Sequence, residues 1–161
     1  MFAGLFVRLL AVIFSKGYMM IDDHFLIVEV AGSWADGFDA KAWLPWTEGN
    51  HGPGYISLLY VGSVWLFFEG LQYVGVSDPE EQMMWLRLLH AFYSMFIIYF
   101  GYKIVEKLSD WKTARLAGLI LALLAFMPNF SVRQLPEMVC IPPLLASAYF
   151  LILGRSKQYW K

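Results

Sequence analysis

The sequence is short of three things, and each shortage excludes something. One residue of the 161 is cysteine, Cys140. A single thiol leaves no internal disulfide and no cysteine-based metal cluster, so its simplest role is as a small apolar helix residue. Charged side chains make up only 16% of the chain, where a soluble domain carries about 25%. Charge of one sign is missing too: the net charge is −1, so no excess selects a partner and no nucleic-acid partner is expected. The N-terminus lacks the pattern of a cleaved signal peptide. Its only early positive charge, Arg8, interrupts the apolar run, and no small-x-small cleavage site follows. No internal repeat or low-complexity tract is visible, and no soluble domain is expected after the last apolar segment.

What is present is apolar. Hydrophobic residues make up 59% of the chain and aromatic residues 18%, with a mean hydropathy of +0.54. Soluble domains average about 45–50% apolar, and a core of this size cannot bury the excess. Lipid must solvate much of it, which predicts an integral membrane protein built of helices. Phe2 to Ile21 is about 20 residues, just enough at helical rise to cross the hydrocarbon. Arg8 inside it must snorkel or pair with another helix. Asp22 to Ser33 reads as a short amphipathic helix with Asp22, Asp23 and Glu29 as its polar members. Trp34 to Pro53 is the most polar stretch, and its tryptophans (Trp34, Trp43, Trp46) suit a loop at the membrane–water boundary. Further apolar segments follow at Gly54–Val76, Met84–Leu108, Thr113–Phe130 and Met138–Gly154.

Connector charge decides which segments cross. Basic residues collect at Lys103, Lys107, Lys112 and Arg115, and again at Arg155, Lys157 and Lys161. Cytoplasmic connectors are the basic ones. With the N-terminus inside, both basic stretches fall in the cytoplasm only if Gly54–Val76 does not cross. Its Glu69, Gln72 and spaced glycines suit an interfacial or re-entrant hairpin. The expected architecture is an all-α membrane module of about four transmembrane helices, near 2–21, 84–108, 113–130 and 138–154. An outer loop with interfacial helices covers 22–83. The alternative is five true spans with the N-terminus outside, which puts the acid pair in the cytoplasm.

Under the four-span topology the outer face collects the chain's chemistry. It gathers Asp22, Asp23 and His24, the loop bearing His51 and Tyr55, then Arg87 and His90, then Arg133 and Glu137. Ionisable groups at membrane depth are costly and face protein or a watery cavity. The set suits transfer onto a hydroxyl or amine from a donor activated by a lipid phosphate. A carboxylate removes the acceptor's proton, while an arginine holds the anionic leaving group bidentately. Each member also has a plain structural reading. Asp22 and Asp23 suit a helix N-cap, Arg87 an interface anchor, His90 a core imidazole bonded to a carbonyl, and Pro136-Glu137 a helix start.

The acid pair after the first span, His51-Gly52-Pro53-Gly54-Tyr55, Trp85-Leu86-Arg87-Leu88-Leu89-His90-Ala91, Arg115-Leu116-Ala117 and Arg133-Gln134-Leu135-Pro136-Glu137-Met138 stand in that order. In order and spacing the chain resembles the N-terminal part of a GT-C-type integral membrane glycosyltransferase. That group includes dolichyl-phosphate-mannose protein mannosyltransferases and bacterial lipid A aminoarabinose transferases. The resemblance implies juxtamembrane helices in the first outer loop. It implies a catalytic or acceptor-orienting acid at Asp22, with Asp23 beside it and a second outer-loop acid at Glu137. It implies substrate binding by Arg87 and His51, and the outer-face set adds His24, Tyr55, His90 and Arg133 as substrate-binding candidates. Ile21 departs from the family, where proline often precedes the acid. So does the length, because members carry further spans and donor-binding residues.

The expected function is therefore transfer of a sugar from a polyprenyl-phosphate-linked donor to a lipid or protein acceptor on the periplasmic or luminal face. The setting would be a bacterial inner membrane or its equivalent. The donor is a substrate rather than a cofactor, no cofactor is called for, and a divalent metal is left open. Membrane lipid is one partner, and a downstream chain supplying the missing helices is another. The competing classes are a non-catalytic membrane subunit or truncated remnant, and a small transporter using its acids as a proton relay. The acids cluster at one face and line no path, which argues against the transporter.

Overall fold

The computed structural model describes residues 1–17, 20–49 and 57–158, apart from the side chains of Asp22 and of 155–158. Every regular element among the described residues is a helix, and none is a strand. In order they are α1 (Phe2–Phe14), α2 (Ile21–Asp23), a π-helical stretch (His24–Val28), α3 (Glu29–Ala35), α4 (Leu58–Tyr73), α5 (Pro79–Tyr93), α6 (Met95–Leu108), α7 (Trp111–Leu123), α8 (Phe126–Ser131) and α9 (Pro136–Gln158). The chain divides into two compact units. One comprises Met1–Lys16 with Arg87–Lys161, the other Gly17–Leu86.

Among the described residues two helices are long and apolar enough to cross a membrane: Pro79–Leu108, 30 residues formed by α5 running on into α6, and Pro136–Gly154, 19 residues. The other two expected spans are shorter than predicted, for local reasons. α1 stops at Phe14, about 20 Å after it starts, because the chain turns at Ser15 and Gly17. The Ser15 hydroxyl donates to Asn129 Oδ1 at 2.7 Å, and Gly17 takes a left-handed φ of 72°. The 113–130 segment is broken at Leu124 into α7 and α8. Pro128 is the cause. In a continuous helix its ring would strike the carbonyl of Leu124, and it has no N–H to offer that oxygen. Leu124 O accepts from Met127 N instead, at 2.8 Å. Pro128 then sits in the first turn of α8, where a missing N–H costs nothing.

In the first unit α6 and α7 form a hairpin across Ser109-Asp110, with α1 and α9 packed against it. Asp110 caps α7 by accepting from Thr113 N at 2.8 Å. Gly4 lets α1 approach closely, since a Cβ there would lie 2.6 Å from Ile98 Cδ1 and 3.1 Å from Ala122 Cβ. α9 carries Pro142 and Pro143 in its interior. Pro143 leaves the carbonyl of Val139 without its helical donor, and Tyr93 Oη donates to that oxygen at 2.9 Å. A side chain on one helix thus repairs the backbone of another.

The second unit has its own core. Ile27, Val30, Ala31 and Trp34 recur at helical spacing along the 21–35 stretch and pack on Val61, Val64 and Phe68 of α4. Burying each larger side chain contributes about 1.5–3 kcal/mol. The amphipathic helix expected over 22–33 is thus present, with a π-helical turn inside it. Trp34 and Trp65 meet edge to face at 6.3 Å. The loop after α3 is organised by Asp39, which accepts from Trp34 Nε1 at 3.0 Å, Leu44 N at 2.7 Å and Thr47 Oγ1 at 3.0 Å.

Candidate functional site

In the first unit the structure brings Arg87 and Arg133 together, 46 positions apart in the chain. Val132, fully buried in the turn after α8, packs with Ala91 and Leu88 of α5 and with Val12 of α1. That contact seats the 131–135 turn against the stretch of α5 carrying Arg87 and His90. The Tyr93–Val139 hydrogen bond fixes the same alignment one turn further along. Both arginines are half-buried and His90 is buried. Burial lowers the pKa of Arg133, and the neighbouring charge of Arg87 lowers it further. Ser131 and Gln134 are buried beside Arg133 in sequence, and the Ser131 hydroxyl has no hydrogen-bond partner among the described residues. Arg133 thus lies within reach of the charge of Arg87, and a guanidinium fork suits phosphate.

α9 begins at Pro136, leaving Arg133 in the preceding turn and Glu137 in the first helical turn. Glu137 is exposed and makes no ion pair among the described residues. Its position is the one where the helix dipole favours an acid.

The acid pair belongs to the second unit. Asp22 and Asp23 lie inside α2, whose N-cap is Met20. Asp23 precedes the π-helical stretch without capping it, so the capping role open to it in the sequence is not the one it takes. The side chain of Asp22, together with His51 and Tyr55, lies outside the described residues. Asp23 stands near Tyr60 in the first turn of α4. Burial raises the Tyr60 hydroxyl's pKa, and the charge of Asp23 raises it further. His24 Nε2 lies 3.6 Å from Glu29 Oε1, a pairing that is ionic only when the imidazole is protonated. π-Helical turns inside α-helices occur often at functional sites, and this one starts directly after the acid pair.

Sequence reasoning passed over Asp39, whose hydrogen-bond acceptance holds its carboxylate's pKa below the usual range although partial burial pushes the other way. The available signal was Trp34 before Asp39 and Thr47 after it, in a stretch that also holds Asp36. Among the described residues no group of three or more His, Cys, Asp or Glu side chains could hold a metal ion. Comparison with protein-family models, curated proteins and solved structures found no match.

Proposed function

We propose that this chain is an integral membrane protein, the N-terminal module of a GT-C-type glycosyltransferase. It would bind the phosphate of a polyprenyl-linked sugar donor and transfer the sugar to a lipid or protein acceptor on the extracytoplasmic face. The observation that carries this reading is the approach of Arg87 and Arg133, with buried His90 one helical turn from Arg87. Paired arginines hold a phosphate before transfer and stabilise it as a leaving group afterwards. Transfer also needs a carboxylate to take the acceptor's proton, a role for which the sequence offers Asp22 and Asp23 of the other unit.

The membrane setting rests on exposure. Of the most apolar 18-residue windows, only 11% of that in Pro136–Gly154 and 33% of that in Pro79–Leu108 is buried inside the protein. The core helix of a soluble protein would be mostly buried. Phe2, Phe14, Leu144 and Leu151 are likewise exposed. The backbone breaks in α7 and α9 are answered by side chains of other helices, as a bilayer without water requires.

A radiolabelled transfer assay in membranes tests the proposal, run with this chain alone and with any reading frame immediately downstream. Transfer from a polyprenyl-phosphate sugar is expected once the assembly is complete, and Arg133→Ala should weaken donor binding. Unchanged donor binding in both Arg133→Ala and Arg87→Ala would sink it.

A further inference from the structure

A groove of about 400 Å³ opens between α1, α6 and α7 in the first unit. Its walls are Ala3 and Gly4 of α1, Ile98 and Tyr102 of α6, and Leu119 and Ala122 of α7, with Lys103 and Arg115 also lining it. We propose that this groove is a binding site for an anionic phospholipid of the cytoplasmic leaflet. The headgroup phosphate would sit between Lys103 and Arg115, and the start of an acyl chain would lie along the small-residue floor.

Position and charge both argue for this occupant. Lys103 stands five residues before the end of α6 and Arg115 four after the start of α7. Both cations are therefore within about 8 Å of the hairpin turn along the helix axes, at the depth of the headgroups if the turn marks the bilayer surface. Trp111 at that turn is exposed, with Lys112 over its ring at 6.0 Å, an arrangement suited to the interface. Between 103 and 115 the chain carries Lys103, Lys107, Lys112 and Arg115 against Glu106 and Asp110. This excess marks the cytoplasmic side, and basic pockets between helices on that side take anionic headgroups.

The two cations are not equivalent. Glu106 Oε2 accepts from Lys103 Nζ at 2.8 Å and Glu106 Oε1 from Tyr102 Oη at 3.0 Å, which ties Lys103 to one wall. Arg115 is exposed and makes no hydrogen bond or ion pair among the described residues. A phosphate would supply the acceptors its fork lacks. The floor is flat because Gly4 and Gly118 present no side chain, and a Cβ at Gly118 would lie 3.4 Å from Tyr102 Cδ2. The inference requires the chain to lie in a bilayer but does not depend on the transfer reaction, because the groove shares no residue with the Arg87–Arg133 cluster.

The test uses the full chain in nanodiscs of phosphatidylcholine with a minority of phosphatidylglycerol, reading retained lipid by native mass spectrometry. The wild type should retain one phosphatidylglycerol. Lys103→Gln/Arg115→Gln should bind it about 30-fold more weakly, since each cation near a membrane surface is worth about a factor of five. Ala3→Phe should fill the groove and also abolish retention with both charges intact. Lys112→Gln, outside the groove, should retain the lipid. Retention by the double variant or by Ala3→Phe, an equal loss in Lys112→Gln, or displacement of the lipid by inorganic phosphate would each overturn the proposal. A loss of donor binding in Arg133→Ala, with phosphatidylglycerol still retained, would separate this site from the transfer site.

Discussion

The guanidinium of Arg8 in α1 donates to the carbonyl oxygen of Ala122 near the end of α7, at 3.3 Å. It also donates to Leu121 O at 3.2 Å, Gly4 O at 3.1 Å and Ser94 Oγ at 2.9 Å. Leu121 and Ala122 are among the last residues of a helix that Pro128 prevents from continuing, so their carbonyls lack the donors of a next turn. A cation at a helix C-terminus is also favoured by the helix dipole. The residue that looks out of place in the first apolar segment thus completes the backbone of another.

Arg8→Met should therefore destabilise the protein despite removing a buried charge. Each carbonyl left buried without a donor costs about 1–3 kcal/mol, and Met supplies none. Arg8→Lys should recover only part, because a point charge with three donors cannot serve this spread of acceptors. Ser94→Ala should cost about 1 kcal/mol. Thermal unfolding in detergent reads these effects. Combining Arg8→Met with Pro128→Ala, which lets α7 extend, should recover some of the loss; simple additivity would show that the break and Arg8 are unrelated.

Asp39 makes the second unit sensitive to acid. Its folded-state pKa lies below the ordinary aspartate value of about 3.9. Its contribution to stability is accordingly complete above that value and lost as pH falls through the lower folded value. Tryptophan emission should shift to the red over that acid range as the loop around Trp34, Trp43 and Trp46 opens. Asp39→Ala should show the shifted emission already at neutral pH. An unchanged spectrum in that variant would remove Asp39 as the organiser of the loop.

The expected topology places the Lys103–Arg115 connector in the cytoplasm and the 22–83 region outside. In a Cys140→Ser background, Asp36→Cys and Asp78→Cys should both react with an impermeant thiol reagent from the outer side. Labelling from opposite sides would make the segment containing α4 a true span and remove the acid pair from the extracytoplasmic face.

Asp22→Asn should reduce transfer by about 10²–10⁴-fold if the carboxylate acts as general base, with expression and insertion unchanged. Asp23→Asn should do less, because adjacent helical side chains point about 100° apart and only one can face the acceptor squarely. Full activity in Asp22→Asn would leave the first acid a structural role only.

The sequence by itself determined that the chain is helical, with two segments long and apolar enough to cross a membrane among the described residues. Apolar segments at helical length, a charge-poor composition and basic connectors follow from the solvent each residue tolerates, and those preferences can be read one residue at a time. The amphipathic helix over 22–33 was legible in its polar members Asp22, Asp23 and Glu29, but Trp34, read as part of a boundary loop, lies in α3 and is buried against α4. Pro128 held the signal for the break at Leu124, but its effect was masked by the apolar run around it. Only the tertiary structure decided what Arg8 is for, which carbonyl Tyr93 reaches and how close Arg87 comes to Arg133. These are relations between residues far apart in the chain. They depend on which backbone groups a proline has freed and which neighbouring helix has a donor at that height. No local propensity encodes that match, because it exists only once the helices have packed.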